Sequence, residues 1–215
     1  MSTGLVAGMY KLSHWIMKLA AINIMWLLFS ALGLFVFGFF PATFAMFTVV
    51  RKWIGTVDEF PIFNTFWEAY KSEFIRANGI GHLMLFVFYF TYINARFLSS
   101  TEGLIADTIS VFYIGFIILL IMMSLYIFPV FCHYKIKTFQ YITYAFIIGV
   151  THPLVTILMV VAVLFFYYMF LILPGITLFF SGSGLAFVMM WLANFVFIKL
   201  DREEHNSEFV QDRVN

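Results

Sequence analysis

The chain has 215 residues, of which 63% are hydrophobic, 21% aromatic and only 11% charged, with a mean hydropathy of +0.98. A soluble domain carries roughly 25% charged residues, and at this size it leaves much of its surface in water. A cytoplasmic enzyme, a disordered chain and a nucleic-acid binder are therefore excluded. The net charge of +1 creates no field that would draw in nucleic acid or acidic substrates, and the single cysteine, Cys132, excludes an intrachain disulfide and a thiolate metal cluster.

The expected fold is all-α, a polytopic transmembrane helical bundle. Lys11 and Lys18 precede the first apolar run, and no small-residue site closes a short one as a cleavable signal peptide would require. Leu19 to Val50 is a run of 32 residues without a formal charge. As one straight helix it would be about 48 Å long, too long for a hydrocarbon core of about 30 Å. Gly33, Gly38 and Pro41 lie inside it, so it reads as a helical hairpin with spans near Leu19–Gly33 and Ala42–Trp53. The alternative is one span followed by an interfacial or re-entrant helix. Arg51 to Arg76 is too polar to cross. Ile80 to Ala95 is the third span, Ser99 to Asp107 a polar loop, and Thr108 to Phe131 the fourth. Lys137 and Lys199 enclose 61 uncharged residues. Two crossings use about 40 of them. These run from His152-Pro153 to Leu171 and from Ile176 to Ile198, with a turn at Pro174-Gly175. Thr138 to Thr151 remains as a more polar helix before the fifth span. Residues 1–200 then form one transmembrane domain, and 201–215 a short polar cytoplasmic tail.

With six spans and the amino terminus inside, eleven of the twelve Lys and Arg residues are cytoplasmic and only Arg96 is outside. With five spans, Lys11 and Lys18 join Arg96, which leaves nine. Six spans therefore satisfy the positive-inside rule better. Exterior turns are short, and the polar mass lies on the cytoplasmic side.

The loop helix over 63–79 has a defined apolar face. Phe63, Phe66, Trp67, Tyr70, Phe74 and Ala77 recur at three and four residues. Glu68 with Lys71 and Glu73 with Arg76 form i,i+3 pairs on the other side. Asn64 is the expected cap, with Pro61 before it, and Gly79 and Gly81 end the helix. Two uses fit this pattern: a helix lying on the inner leaflet with its aromatics in the headgroup region, or a docking helix using Phe63, Phe66, Trp67, Tyr70, Lys71 and Phe74. Thr138 to Thr151 is a second helix of this kind, where Phe146-Ile147 echoes Phe74-Ile75.

Polar residues inside spans are costly and mark contacts. Asn23, Asn94 and Asn194 fit interhelical hydrogen bonds. Gly182 and Ala186, four apart, form a small-residue packing face in the last span. No Asp or Glu lies at mid-membrane, which weighs against a proton-coupled path. Trp15, Trp53 and Trp67 fall at the expected inner aromatic belt. The Ser-Gly-Ser-Gly run at 181–184 lacks the spacing of a nucleophile elbow, and no HExxH, nucleotide-binding glycine loop or Cys/His ligand set occurs. Neither a catalytic residue nor a cofactor or metal site is assigned.

One order of short motifs is familiar. Asn23-Ile24-Met25-Trp26-Leu27-Leu28-Phe29-Ser30 is followed by a turn and Pro41-Ala42-Thr43, then Val49-Val50-Arg51-Lys52-Trp53, then Phe66-Trp67-Glu68-Ala69-Tyr70-Lys71 with Phe74 following, then Phe128-Pro129 and His152-Pro153. This order resembles the YesL-like family of small bacterial membrane proteins over roughly residues 10–200. The family's extra proline in the first turn is replaced here by Phe39-Phe40-Pro41. The resemblance implies a bacterial inner-membrane protein with both termini cytoplasmic. It further implies a non-enzymatic accessory subunit that accompanies the permease subunits of a carbohydrate ABC importer. Type I ABC permeases carry a docking helix that opens with Glu-Ala-Ala and has a glycine soon after. Glu68-Ala69-Tyr70 opens similarly, but Phe74 stands where that glycine belongs, so the chain does not read as a permease subunit itself. The alternative is a stand-alone transporter or a lipid- or sugar-binding membrane protein, with a cavity lined by Asn23, Asn94 and Asn194. The oligomeric state is left open.

Overall fold

The computed structural model describes the backbone of residues 2–56 and 59–214 and the side chains of residues 6–56 and 59–203. Among the described residues the chain forms eight helices. They are α1 (Ser2–Leu32), α2 (Phe39–Gly55), α3 (Ile62–Ser72), α4 (Phe74–Ser99), α5 (Leu104–His133), α6 (Thr138–Thr151), α7 (Pro153–Ile172) and α8 (Pro174–Val214). Five of them are long and apolar enough to cross a bilayer: the segments Val6–Leu32, Phe74–Ser99, Leu104–His133, Pro153–Ile172 and Pro174–Glu203. The protein is a multi-pass membrane protein whose exposed apolar faces meet lipid. Five is the count that the sequence admits as its alternative.

The short helix α2 is the hub. It has 17 residues, and ten of them are buried. It packs against α1, α3, α4, α5 and α8. Pro41 sits in its first turn, where a missing N–H leaves no ladder bond unmade. Thr43 and Thr48 return their hydroxyls to Phe39 O (2.7 Å) and Phe44 O (3.0 Å), so these polar groups enter an apolar core already satisfied. Trp26 of α1 donates Nε1–H to Thr43 Oγ1 at 3.0 Å.

The turn between α1 and α2 contains two non-glycine residues in the left-handed region, Leu34 (φ 56) and Phe35 (φ 58). Each costs roughly 1–2 kcal/mol. Gly33 and Gly38 close the turn, and a Cβ on Gly33 would lie 2.3 Å from the Gly38 Cα. Only glycine permits that approach.

The expected loop helix over 63–79 is divided. α3 ends at Ser72, one residue (Glu73) intervenes, and α4 begins at Phe74 and runs through Gly79 and Gly81. Pro61, not Asn64, is the N-cap, and its carbonyl accepts the Thr65 N–H at 3.0 Å. Gly81 does not stop the helix because it serves packing. A Cβ there would lie 2.1 Å from the Phe40 ring, so its absence lets α2 and α4 touch.

α3 does not lie detached on a membrane surface. It starts beside the end of α2, where Lys52 lies over the Phe60 ring (4.9 Å) and 3.5 Å from Thr65 Oγ1, and it returns along α2. As a result α4 begins beside the α1–α2 turn, and Asn78 Nδ2 donates to Phe37 O at 2.9 Å. The six-span count puts that turn outside and the start of α4 inside. The structure joins them, because a return helix replaces the expected surface loop.

The same plan recurs in α5–α6–α7. α6 starts beside the end of α5, with Phe131 and Tyr141 rings 4.4 Å apart, and returns until Gly149 meets Met122. His152 breaks the helix and α7 follows. Proline explains this break, since it pushes the preceding residue out of the helical region. In this register Phe74 corresponds to Pro153, not to Phe146.

Candidate functional site

The ends of several helices meet in one polar region. Lys18 of α1 lies over the Trp53 ring (5.6 Å), and Trp15, Trp53 and Phe187 cluster. Arg51 of α2 donates to the Cys132 carbonyl at the end of α5. His133 Nε2 lies 3.3 Å from Asp201 of α8. Lys18 and Arg51 are each held there by a direct contact, one to a ring and one to a carbonyl.

Within this region a cavity of about 760 Å³ lies between α2, α3, α5 and the α5–α6 connection. Arg51, Arg76 and Lys135 bring three positive charges to its wall, and Glu68 and Glu73 bring two negative ones. Thr48, Thr65 and Ser72 add hydroxyls. Glu73 holds Arg76 at 3.5 Å. Neither Arg51 nor Lys135 has a carboxylate within ion-pair distance among the described residues. The cavity therefore holds one uncompensated positive charge beside apolar helix walls, where a charge interacts more strongly than in water.

A second cavity of about 160 Å³ adjoins it between α4 and α5. Ala77, Ile80, Met84 and Leu85 line it from α4, with Ile127 and Phe128 from α5. It is almost wholly apolar. Phe131 lines both cavities, and the neighbours Arg76 and Ala77 each line one of them.

The residues expected to dock a partner divide between two environments. Phe66 is fully buried and Tyr70 is 8% exposed. Both rings pack on Phe29 of α1, with centroids 5.1 and 5.0 Å away. The Tyr70 hydroxyl donates to Phe29 O at 3.3 Å, and burial pushes its phenol above the ordinary value, so it stays a neutral donor. Phe74 is half-buried. Phe63 (57% exposed), Trp67 (38%) and Lys71 remain outside. Lys71 lies over the Trp67 ring at 4.7 Å rather than on Glu68, which lines the polar cavity instead.

The helix-packing residues also separate. Asn23 is completely buried. Its Nδ2 donates to Leu178 O at 2.8 Å, and its Oδ1 accepts the N–H groups of Gly182 (2.9 Å) and Ser183 (3.0 Å). Leu178 O and Gly182 N–H are the two groups a regular helix pairs with each other. Asn23 thus pins α1 to the backbone of α8 itself. A Cβ on Gly182 would lie 3.1 Å from the Trp26 ring, so Gly182 belongs to this contact, and Ala186, one turn on, is 1% exposed. Asn94 instead returns its amide to Phe90 O of its own helix at 2.7 Å, and Asn194 is half-buried in α8. Neither of the two cavities described here is lined by any of these three asparagines.

Charge pattern alone does not reveal the polar cavity. Arg51 and Lys52 read as topology signals and Glu73–Arg76 as a surface pair. What gathers them is the return of α3, which no charge pattern records. Among the described residues no group of three or more His, Cys, Asp or Glu side chains comes together to hold a metal ion.

Comparison with known proteins places this architecture. The model of a family described as "Protein of unknown function, DUF624" matches residues 19–95. The uncharacterized protein YteU of Bacillus subtilis (strain 168) is 33% identical over 206 residues, covering 95% of this chain and 91% of that protein. The chain belongs to the YesL-like DUF624 family. YesL itself, an uncharacterized protein of the same organism, is 30% identical over 201 residues, covering 94% of this chain and 95% of its own. The uncharacterized protein YesV of that organism is 30% identical over 207 residues, covering 96% and 100%. These matches extend the family relation past α4 to the whole bundle. No solved structure matches the chain.

Proposed function

We propose that this YesL-like protein is a non-catalytic accessory subunit of a carbohydrate ABC importer in the bacterial inner membrane, with its carboxyl terminus cytoplasmic. The observation that carries the docking part is the outward face of α3, where Phe63, Trp67 and Lys71 stand exposed on a helix anchored from behind by Phe66 and Tyr70. A rigid helix with an exposed aromatic pair and an adjacent cation suits a protein contact, because exposed aromatics supply contact area at low entropic cost. Family membership supports the carbohydrate-importer setting through the resemblance that the motif order carries.

The test is isolation of the full-length, carboxyl-tagged protein from native membranes after lysine crosslinking, with the captured proteins identified by mass spectrometry. A pair of sugar permease subunits joined through Lys71 or Lys52 is the expected result. Trp67→Ala then abolishes the crosslink and reduces sugar uptake while insertion stays normal. Recovery of this protein alone, under conditions that preserve other importers, overturns the proposal.

A further inference from the structure

We infer that the paired cavities form one binding site for an anionic phospholipid, with its phosphate in the polar cavity and an acyl chain in the apolar crevice between α4 and α5. Two independent features meet here. Among the described residues Arg51 and Lys135 have no carboxylate partner in the polar cavity, and hydroxyls from Thr48 and Thr65 share its wall. Arg binds phosphate through paired N–H groups, and basic pockets between transmembrane helices hold lipid headgroups. The crevice is lined by Ala77, Ile80, Met84 and Leu85 and shares Phe131 with the polar cavity.

The juxtaposition selects the ligand. A free phosphate satisfies the cations but leaves the crevice unused. A zwitterionic lipid fills the crevice but brings no net charge to balance the surplus positive charge. An amphiphile with a net negative head satisfies both. Glu68 and Glu73 do not oppose it. Glu73 is engaged with Arg76, and three cations against two carboxylates leave the wall net positive. The site is independent of any importer, because every group comes from this chain.

Native mass spectrometry of the purified full-length protein in detergent tests the inference, with phosphatidylglycerol, phosphatidylcholine and inorganic phosphate as probes. Phosphatidylglycerol is expected to bind about tenfold more tightly than phosphatidylcholine, as one or two lysine or arginine contacts supply. Arg51→Gln is expected to erase that preference and leave phosphatidylcholine unchanged. Lys135→Gln, at an exposed position, is expected to reduce it. Met84→Trp fills the crevice and is expected to weaken phosphatidylglycerol. Equal retention of the two lipids by the unaltered protein overturns the site. So does a phosphatidylglycerol preference that survives both Arg51→Gln and Lys135→Gln. Inorganic phosphate that displaces the lipid, with phosphatidylglycerol itself unaffected by Met84→Trp, overturns the lipid and assigns a free anion instead. None of these readouts depends on a permease partner, so failure of the importer proposal leaves them intact.

Discussion

The α2–α3–α4 unit and the α5–α6–α7 unit share a plan and differ in chemistry. Each has a helix, a return helix and a one-residue break before a long apolar helix. The return helix α6 carries no formal charge, and the buried hydroxyls beside it are paired. Thr156 Oγ1 donates to Gly149 O (2.9 Å) or His152 O (3.0 Å) and lies 3.2 Å from the Tyr126 hydroxyl. The α3 unit instead brings Glu68, Glu73 and Arg76 to a cavity and leaves Trp67 and Phe63 outside. Closed hydrogen-bond networks stabilise, whereas surplus charge beside a cavity binds. The first unit therefore supplies the exposed aromatic face and four of the five charged groups of the polar cavity, to which the second adds Lys135, Phe131 and Tyr141.

The expected effect with the widest reach lies in what holds both units. α1 packs on α2, α7 packs on α8, and Asn23 joins α1 to α8. Asn23→Leu removes three hydrogen bonds between α1 and the α8 backbone and is expected to destabilise by about 1–2 kcal/mol, read from unfolding by SDS in micelles. Asn94→Leu, whose amide serves only its own helix, is expected to change stability little. Equal losses from the two would remove Asn23 as the common anchor. Next comes the α2–α4 contact. Gly81→Ala drives a Cβ into the Phe40 ring, and overpacking of this kind costs about 1–3 kcal/mol. Gly79→Ala, two residues earlier with open space around it, is expected to gain up to about 1 kcal/mol from helix propensity.

The comparison itself is sharpest in a crossed pair. Thr156→Val leaves the buried Tyr126 hydroxyl unpaired and is expected to cost about 1–2 kcal/mol with phosphatidylglycerol binding unchanged. Arg51→Gln is expected to erase the lipid preference, with a separate stability loss from its bond to the Cys132 carbonyl. If Thr156→Val weakens lipid binding as much as Arg51→Gln does, the separation of the Tyr126–Thr156 network from the binding site fails.

Much of this architecture is legible in residues with strong local chemistry. The breaks at His152-Pro153 and Pro174-Gly175 follow from proline, and the α1–α2 reversal from Gly33 and Gly38. The break at Glu73 has no such signal. The Ala69 and Glu73 carbonyls still accept helical bonds from Glu73 and Ala77 N–H, so a run of good helix formers bends without a breaker. Its consequence is non-local. Whether Phe66 and Tyr70 face a partner or Phe29 depends on where α1 lies, and helical periodicity defines a face without naming what covers it. The polar cavity is hidden for the same reason, since its cations come from α2, α4 and the α5–α6 connection.

The smallest effect compares the two return helices through one hydroxyl each. Tyr70 donates to Phe29 O at 3.3 Å. Tyr141 donates to Tyr134 O at 3.2 Å and accepts the Ile136 N–H at 3.3 Å. Tyr141→Phe removes two partners and is expected to cost about 1–1.5 kcal/mol, and Tyr70→Phe about 0.5–1 kcal/mol. Alkaline unfolding separates them further. Burial raises the Tyr70 phenol above 10.0 in the folded chain, so the stability linked to its proton is present below about pH 10 and declines as the pH rises through the raised value. Tyr70→Phe removes that decline. If Tyr70→Phe leaves both neutral stability and the alkaline slope unchanged, the Tyr70 hydroxyl does not anchor α3, and its hold on α1 rests on the Phe66 and Tyr70 rings against Phe29.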